Sequence, residues 1–232
     1  MTPPQYQDEA VVGVSDYYAN AVSRREESQA VTMYSIMKRT IDIVGSLSGL
    51  LLLSPLFVII AILIKWEDPK GSVFFYQTRI GKNEKPFRMY KFRSMLTGAE
   101  DKLKELLAKN EISGAMFKMK DDPRITKIGK LIRKTSIDEL PQLLNVLRGE
   151  MSLVGPRPPL TREVAEYTEY DKQRLTVTPG CTGLWQVSGR NNLNFKQMVE
   201  LDLTYIEKRC IWFDIKILFK TVRAVVGSQD AY

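Results

Sequence analysis

A chain of 232 residues is long enough to bury a core of its own, as one large domain or a domain with appendages. Its 34 Lys and Arg against 27 Asp and Glu leave a net charge of +7, which favours anionic partners: nucleic acid, phosphorylated ligands or an acidic membrane face. With no histidine and only two cysteines, Ser-His-Asp, Cys-His and histidine-metal chemistries are excluded and no disulfide framework is indicated, so any acid, base or nucleophile must be Asp, Glu, Lys, Tyr, Cys or Ser.

Residues 1–33 are polar and mixed in charge, without the basic start and apolar run of a cleaved signal peptide. They read as a loosely ordered extension with room for a short helix around Tyr17–Glu27. The next segment, 34–66, is dominated by "IVGSLSGLLLLSPLFVIIAILI" from Ile43 to Ile64, 22 residues without a charge. Roughly 20 apolar residues suffice to span a bilayer. A core helix of a soluble domain would carry a polar face, so membrane insertion is the better reading. Ser54-Pro55 breaks the run near its middle, where proline removes one helical hydrogen bond and a serine hydroxyl can satisfy the freed carbonyl. Lys38 and Arg39 precede the run and Lys65 and Lys70 follow it, so the positive-inside bias is nearly symmetric. On the residues alone, a hairpin returning to the cytoplasmic side and a kinked single span both stay open.

Residues 67–232 are polar-mixed and read as a cytoplasmic domain resting on the membrane. Val73–Gln77 and Phe87–Phe92 are rich in strand formers, with "GKNEK" as the turn between them. Glu100–Lys109 has a helical charge pattern. Ile125, Ile128, Leu131 and Ile132 recur at helical spacing, and a further helix is expected from about Asp138 to Leu147. Residues 161–175 read as one charged helix and 178–192 as a glycine-rich loop. A helix from about Phe195 to Arg209 leads into an amphipathic one. There Ile211, Ile215, Leu218, Phe219, Val222, Val225 and Val226 share one face, and Lys216, Lys220 and Arg223 another. Near a membrane anchor, that pattern suits an interfacial helix as well as a core-packed one.

The stretch "SIDELPQLLNVLRGEMSLVGPRPPL" (136–160) pairs Asp138 with Glu139. Ser136-Ile-Asp-Glu fits a capping box, and two carboxylates suit a first helical turn. Pro141 argues against that: a helix capped by Ser136 would place the proline in its second turn, whereas a start at Asp138 or later tolerates it. Arg124, Lys127, Lys130, Arg133 and Lys134 come before the pair, Arg148 and Arg157 after it. Cations of that density around two carboxylates suit a metal-bound diphosphate, with arginines as bidentate phosphate donors. Taken singly, most of these cations also fit a solvated face touching anionic lipid.

The runs "KRTIDIVGSLSGLLLLSPLF", "GSVFFYQTRIG", "YKFRSM", "DPRITKIGKLIRKTSIDELPQLLNVLRGEMSLVGPRP" and "PGCTGLWQVSGR" resemble the bacterial sugar transferase family, over about residues 34–232 in unbroken order. These are monotopic polyprenyl-phosphate phosphoglycosyl transferases that begin exopolysaccharide, capsule and O-antigen assembly at the cytoplasmic face of the bacterial inner membrane. The resemblance implies a helix-rich α/β domain behind a re-entrant helix-break-helix anchor at Ser54-Pro55, flanked by Lys38 and Arg39. It implies transfer of sugar 1-phosphate from a UDP-sugar to undecaprenyl phosphate, with release of UMP and a requirement for Mg²⁺. It places the catalytic pair on Asp138 and Glu139, with Asp138 as nucleophile and metal ligand and a covalent phosphosugar intermediate on it. The phosphate-binding positions fall on Lys91, Arg133 and Arg157. The sequence departs from the family at Ser72, where proline is expected, and at Cys181, where isoleucine is commoner. It also has no counterpart of the four-helix N-terminal block of larger members. The "GLWQVSGR" loop resembles hexose-using members, favouring UDP-galactose or UDP-glucose.

Two other readings come from different classes. One is a non-catalytic membrane adaptor that holds lipid and polysaccharide-assembly proteins; the transferase itself leaves such proteins, or a second copy, open as partners. The other is nucleic-acid binding, which fits the charge but ignores the anchor and lacks the aromatic-basic motif of any known module. An intact Asp138, Glu139 and Arg157 favour the enzyme.

Overall fold

The computed structural model describes residues 32–99, 122–189 and 193–227. The chain divides into two units, Met1–Thr40 and Ile41–Tyr232. The described part of the first is the opening of helix α1 (Thr32–Leu52), which carries Lys38 and Arg39 and where Thr40 Oγ1 donates to the Ile36 carbonyl. Residues 1–31 of the expected extension, with its helix around Tyr17–Glu27, lie outside the described residues, as does the helix expected over Glu100–Lys109.

Helices α1 and α2 (Ser54–Glu67) meet at Leu53 with a bend of 58°. The cause is local. Pro55 has no N–H to offer the carbonyl of Leu51, four residues back. Ser54 Oγ donates to that carbonyl instead, at 2.8 Å. Regular bonds run up to and away from the break, Leu53 N to Gly49 O and Phe57 N to Leu53 O, both at 2.9 Å. Among the described residues no single helix is long and apolar enough to cross a membrane; α1 and α2 pass that test only as a bent pair.

Buried Asp42 seats α1 on the domain. Its Oδ1 accepts from Ser152 Oγ at 3.0 Å and from Leu153 N at 2.9 Å. Gly45 and Gly49 permit the approach, since a β-carbon there would stand 2.8 Å from Leu153 Cδ1 and 3.0 Å from Leu143 Cδ1. Helix α2 buries Ile60 and Ile64 against Phe92 and Ile132, while Val58, Ile59, Ile62 and Trp66 stay exposed. At its end the Glu67 carboxylate accepts from Lys127 N (2.7 Å) and Ile128 N (3.0 Å). It thereby joins Thr126 in capping helix α3 (Lys127–Lys134). Of the residues expected at helical spacing, Ile128 and Ile132 pack inward on α3, Leu131 is exposed, and Ile125 precedes the helix and bridges Met95.

Strands β1 (Phe74–Ile80) and β2 (Pro86–Phe92) form the expected antiparallel hairpin, registered from Phe74 opposite Phe92 to Ile80 opposite Pro86. Asn83 and Glu84 take left-handed backbones in the turn. Helix α4 (Gln142–Arg148) precedes β3 (Ser152–Val154), which pairs in parallel with β4 (Gly180–Thr182), Ser152 opposite Gly180 and Val154 opposite Thr182. The helix-rich α/β class expected from the sequence is the one observed.

Three expectations need correction. The single charged helix of 161–175 is two short ones, α5 (Thr161–Val164) and α6 (Glu169–Lys172), and a 3₁₀ turn over Gln173–Thr176. Thr168 restarts the helix: its Oγ1 accepts from Asp171 N while the Asp171 carboxylate accepts from Thr168 N at 2.9 Å. The glycine-rich stretch of 178–192 is also not all loop. It holds β4 and a 3₁₀ turn at Trp185–Val187, with residues 190–192 outside the described set.

The third concerns the last helices, α7 (Phe195–Lys208) and α8 (Ile211–Gly227). The packed face of α8 runs through Asp214 and Ile217, with Phe213 and Leu218 against Val154, Leu184 and Tyr205. Phe219 and Val222, expected on the apolar face, point outward at 74% and 62% exposure, joined by Trp212 at 64%. Tyr205 secures the packed face by donating to Asp214 Oδ1 at 2.7 Å, an option the apolar pattern could not register.

Candidate active site

The two carboxylates do not open a helix. Ser136 stands in a left-handed conformation (φ 56°) and its side chain makes no capping bond. Ile137–Glu139 form one 3₁₀ turn, and α4 starts only at Gln142, after Pro141. The helix expected from Asp138 is thus shortened at its start, because proline fits ahead of the first turn and not within the second. The tight turn sends the carboxylates to different surroundings. Asp138 is 7% exposed, whereas Glu139 reaches across to β2, where Lys91 Nζ donates to Glu139 Oε1 at 2.8 Å. Burial pushes the Asp138 carboxyl up to about 6, with Lys91 and Arg133 pulling it down and Glu139 pushing it further up.

Asn145 holds this turn against the hairpin. Its Nδ2 donates to the Arg88 carbonyl (2.7 Å) and to Glu150 Oε2 (2.7 Å), and its Oδ1 accepts from Tyr90 N (3.0 Å). The side chain is fully buried, so Asn145→Ala would strand a backbone donor and a backbone acceptor. A loss of about 3 kcal/mol is expected by thermal or urea unfolding. A loss under about 1 kcal/mol would mean that the site does not depend on this tie.

Arg157 follows β3 in the segment Gly155-Pro156-Arg157-Pro158. The segment lies hard against β4: a β-carbon on Gly180 would fall 2.0 Å from Gly155 N. On its far side Arg79 Nη1 donates to the Pro158 carbonyl at 3.1 Å and Ile80 N to the Pro159 carbonyl at 3.0 Å. Arg79 is buried and its Nε has no partner among the described residues; burial, and next the charge of Arg157, bring its guanidinium down to about 10. Two neighbouring guanidiniums and a lysine make this a place for an anion.

One cavity joins these parts, lined by Lys91, Glu139, Arg157, Gln142, Cys181 and Gln186 among others. The Cys181 thiol is pushed up by burial and stays protonated, which removes the cavity's thiol as a nucleophile and leaves the carboxylates. Of the residues singled out in the sequence, Lys91, Glu139 and Arg157 share the cavity, and Asp138 is the buried neighbour of Glu139 on the same turn. Arg133 does not line it; its Nη1 is buried without a partner among the described residues, and its charge acts on Asp138. Other cations are placed elsewhere. Arg124 pairs with Asp122 at 2.6 Å, and Arg148 donates to Tyr90 Oη at 2.9 Å. Lys127, Lys130 and Lys134 are exposed on α3. Ser54 and Pro55 form the helix break. Arg79, Gln142 and Gln186 escaped the sequence reading. All three stood in quoted motifs, yet only tertiary packing turns them toward Arg157 and the cavity.

Residues 33–228 match the family described as bacterial sugar transferase. The chain belongs to the bacterial sugar transferase family. Over 197 residues it is 51% identical to the galactosyl transferase CpsE of Streptococcus agalactiae, covering 84% of this chain and 43% of that protein. It is 46% identical over 200 residues to the undecaprenyl-phosphate galactose phosphotransferase of Salmonella typhimurium, covering 84% of this chain and 42% of that protein. It is 42% identical over 212 residues to the exopolysaccharide production protein ExoY of Rhizobium meliloti, covering 89% and 93%. This sugar transferase chain therefore spans about two-fifths of the first two relatives and nearly all of the third.

Proposed function

We propose that this chain is a phosphoglycosyl transferase that moves a hexose 1-phosphate from a UDP-sugar to undecaprenyl phosphate, releasing UMP, as an opening step of exopolysaccharide synthesis. The observation that carries this reading is the cavity itself, where a buried carboxylate neighbours a Lys91–Glu139 pair and an arginine held by the chain on both sides. Galactose and glucose are the favoured sugars, because relatives that match are named as undecaprenyl-phosphate galactose and glucose phosphotransferases.

In the proposed mechanism the ionised Asp138 carboxylate attacks the phosphorus that bears the sugar and displaces UMP, leaving an aspartyl phosphosugar. An oxygen of the lipid phosphate then attacks the same phosphorus, restoring the carboxylate and giving the lipid diphosphosugar. Arg157 and Lys91 balance the charge of the diphosphate, Arg133 acts from outside the cavity by lowering the pKa of Asp138, and Glu139 is held in place by Lys91. The donor set also suits Mg²⁺. Among the described residues no cluster of three or more metal-ligating side chains occurs, but Mg²⁺ needs only one or two carboxylates when substrate phosphates and water complete its shell. Asp138, with Glu139 beside it, would hold the ion, which when bound neutralises developing charge on the phosphates.

The same reading puts the chain at the cytoplasmic face of the bacterial inner membrane. Exposed Val44, Leu47, Leu51 and Leu52 on α1 and Val58, Ile59 and Ile62 on α2 suit lipid contact on both arms of the bend. On α8 the outward Trp212, Phe219 and Val222 lie among Lys216, Lys220 and Arg223, a mixture suited to the headgroup boundary. The bend of 58° fits a broken span as well as a re-entrant hairpin, and the nearly symmetric basic flanks, Lys38 and Arg39 before and Lys65 and Lys70 after, support the hairpin that enters and leaves on one side. A cysteine placed at Lys70 should therefore resist a membrane-impermeant reagent applied from outside the cell. Adding Pro55→Leu should straighten the helix and render that cysteine reactive. Labelling without the proline change would rule out the hairpin.

The test of the activity is UMP release from a panel of UDP-sugars with polyprenyl phosphate in detergent and Mg²⁺. UDP-galactose or UDP-glucose is expected to support turnover. No UMP from any donor would sink the enzyme reading and favour an adaptor.

A further inference from the structure

Beside its charged groups the cavity holds two neutral amides, those of Gln142 and Gln186. Gln142, at the first position of α4, is 3% exposed and faces the same cavity as Lys91, Glu139 and Arg157. Gln186, on the 3₁₀ turn after β4, lines it too, and its Oε1 is buried with no hydrogen-bond partner among the described residues. That unpaired oxygen contrasts with the amide of buried Asn145 close by, which makes three bonds. Buried amide atoms are nearly always satisfied, and leaving one unpaired is costly, so the unpaired Gln186 Oε1, with the Gln142 amide facing the same cavity, points to a ligand that completes it.

We infer that Gln142 and Gln186 bind hydroxyl groups of the hexose that stays on the transferred phosphate, and that they thereby select the donor. The inference rests on the transferase reading above. An amide gains little from a phosphate already faced by cations, but it donates and accepts at once, which matches a sugar hydroxyl. Uracil's imide edge has the same chemistry. Position separates the two: Gln142 lies three residues beyond Glu139 and one helix start away from Asp138. The sugar is attached directly to the attacked phosphorus, whereas uracil is set off by a ribose and a second phosphate. A site whose buried polar groups expect a hydroxyl discriminates strongly against a donor that lacks it.

The test uses the full chain in detergent with polyprenyl phosphate and Mg²⁺. It compares kcat/KM for UDP-galactose or UDP-glucose, whichever turns over faster, with that for its singly deoxygenated analogues and for the donor methylated at uracil N3. Wild type should lose roughly 10- to 100-fold on at least one deoxy donor. Gln142→Met and Gln186→Met should each lose a similar factor on the parent donor and little more on the deoxy donor that lacks their hydroxyl. The wild-type series stands even if a variant fails to fold. Equal losses by the variants on every deoxy donor would overturn the inference, as would a loss erased only by N3 methylation, which would assign the amides to the base. No turnover of any UDP-sugar by wild type would overturn the transferase reading and this inference with it.

Discussion

Asp138→Asn is expected to abolish turnover and, at neutral pH, to make the protein more stable. The first effect follows from the chemistry, since a neutral amide cannot attack phosphorus. The second follows from burial. The folded protein holds the Asp138 proton with a pKa of about 6, against 3.8 for the free group. A carboxyl raised on folding favours the folded state fully below its unfolded value, and that contribution is lost as pH rises through about 6. Ionised Asp138 therefore costs about 3 kcal/mol at pH 7.5 relative to its protonated form. Asparagine carries no such cost. Melting in one detergent should show Asp138→Asn above wild type at pH 7.5, with the gap closing toward pH 4. The same group should make wild-type kcat/KM fall in a one-proton step below about pH 6. A variant no more stable at pH 7.5 than at pH 4, relative to wild type, would remove the buried charge from the account.

Arg157→Lys should lower kcat/KM by well over tenfold although the charge is kept. Lysine presents a point charge where guanidinium presents a planar fork, and the fork matches two phosphate oxygens at once. The backbone has been fixed for that purpose: Pro156 and Pro158 limit the flanking torsions, Arg79 and Ile80 bind the carbonyls of Pro158 and Pro159, and Gly180 lets Gly155 come close. Arg148→Lys is the matched control, because Arg148 is exposed and engages Tyr90, away from the cavity. It should stay within about twofold of wild type. Near-normal turnover of Arg157→Lys would reduce that arginine to a surface cation.

Local rules carried the reading wherever local physics decides the structure. Proline chemistry at Ser54-Pro55 marked the bend, and the serine hydroxyl satisfies the orphaned Leu51 carbonyl as the pattern requires. Strand-forming residues and "GKNEK" marked the hairpin, and Pro141 argued correctly against a helix opening at Ser136. The reading weakened where partners come from afar. At Thr168 the partner is local, but a reading by charge pattern passed over the capping pair with Asp171, three residues on, that splits the helix. Strand β4 is three residues long and exists because β3 lies beside it, so a glycine-rich sequence there read as loop. On α8 the packed face is set by Asp214 meeting Tyr205, which an apolar count excludes by construction. The site divides the same way. Asp138, Glu139 and the cations were visible as a cluster in sequence, but the pairing of Lys91 with Glu139 spans 48 residues and Arg79 approaches Arg157 from another strand.

The most direct test of the covalent mechanism is intact-protein mass spectrometry after incubation with UDP-galactose and Mg²⁺ in the absence of any lipid acceptor. Wild type should gain the mass of one sugar phosphate and release UMP in a burst of up to one per active site, the adduct disappearing once polyprenyl phosphate is added. Asp138→Asn should show neither. An unmodified wild-type mass, together with UMP release that begins only when lipid is supplied, would contradict the aspartyl phosphosugar and require direct attack by the lipid phosphate.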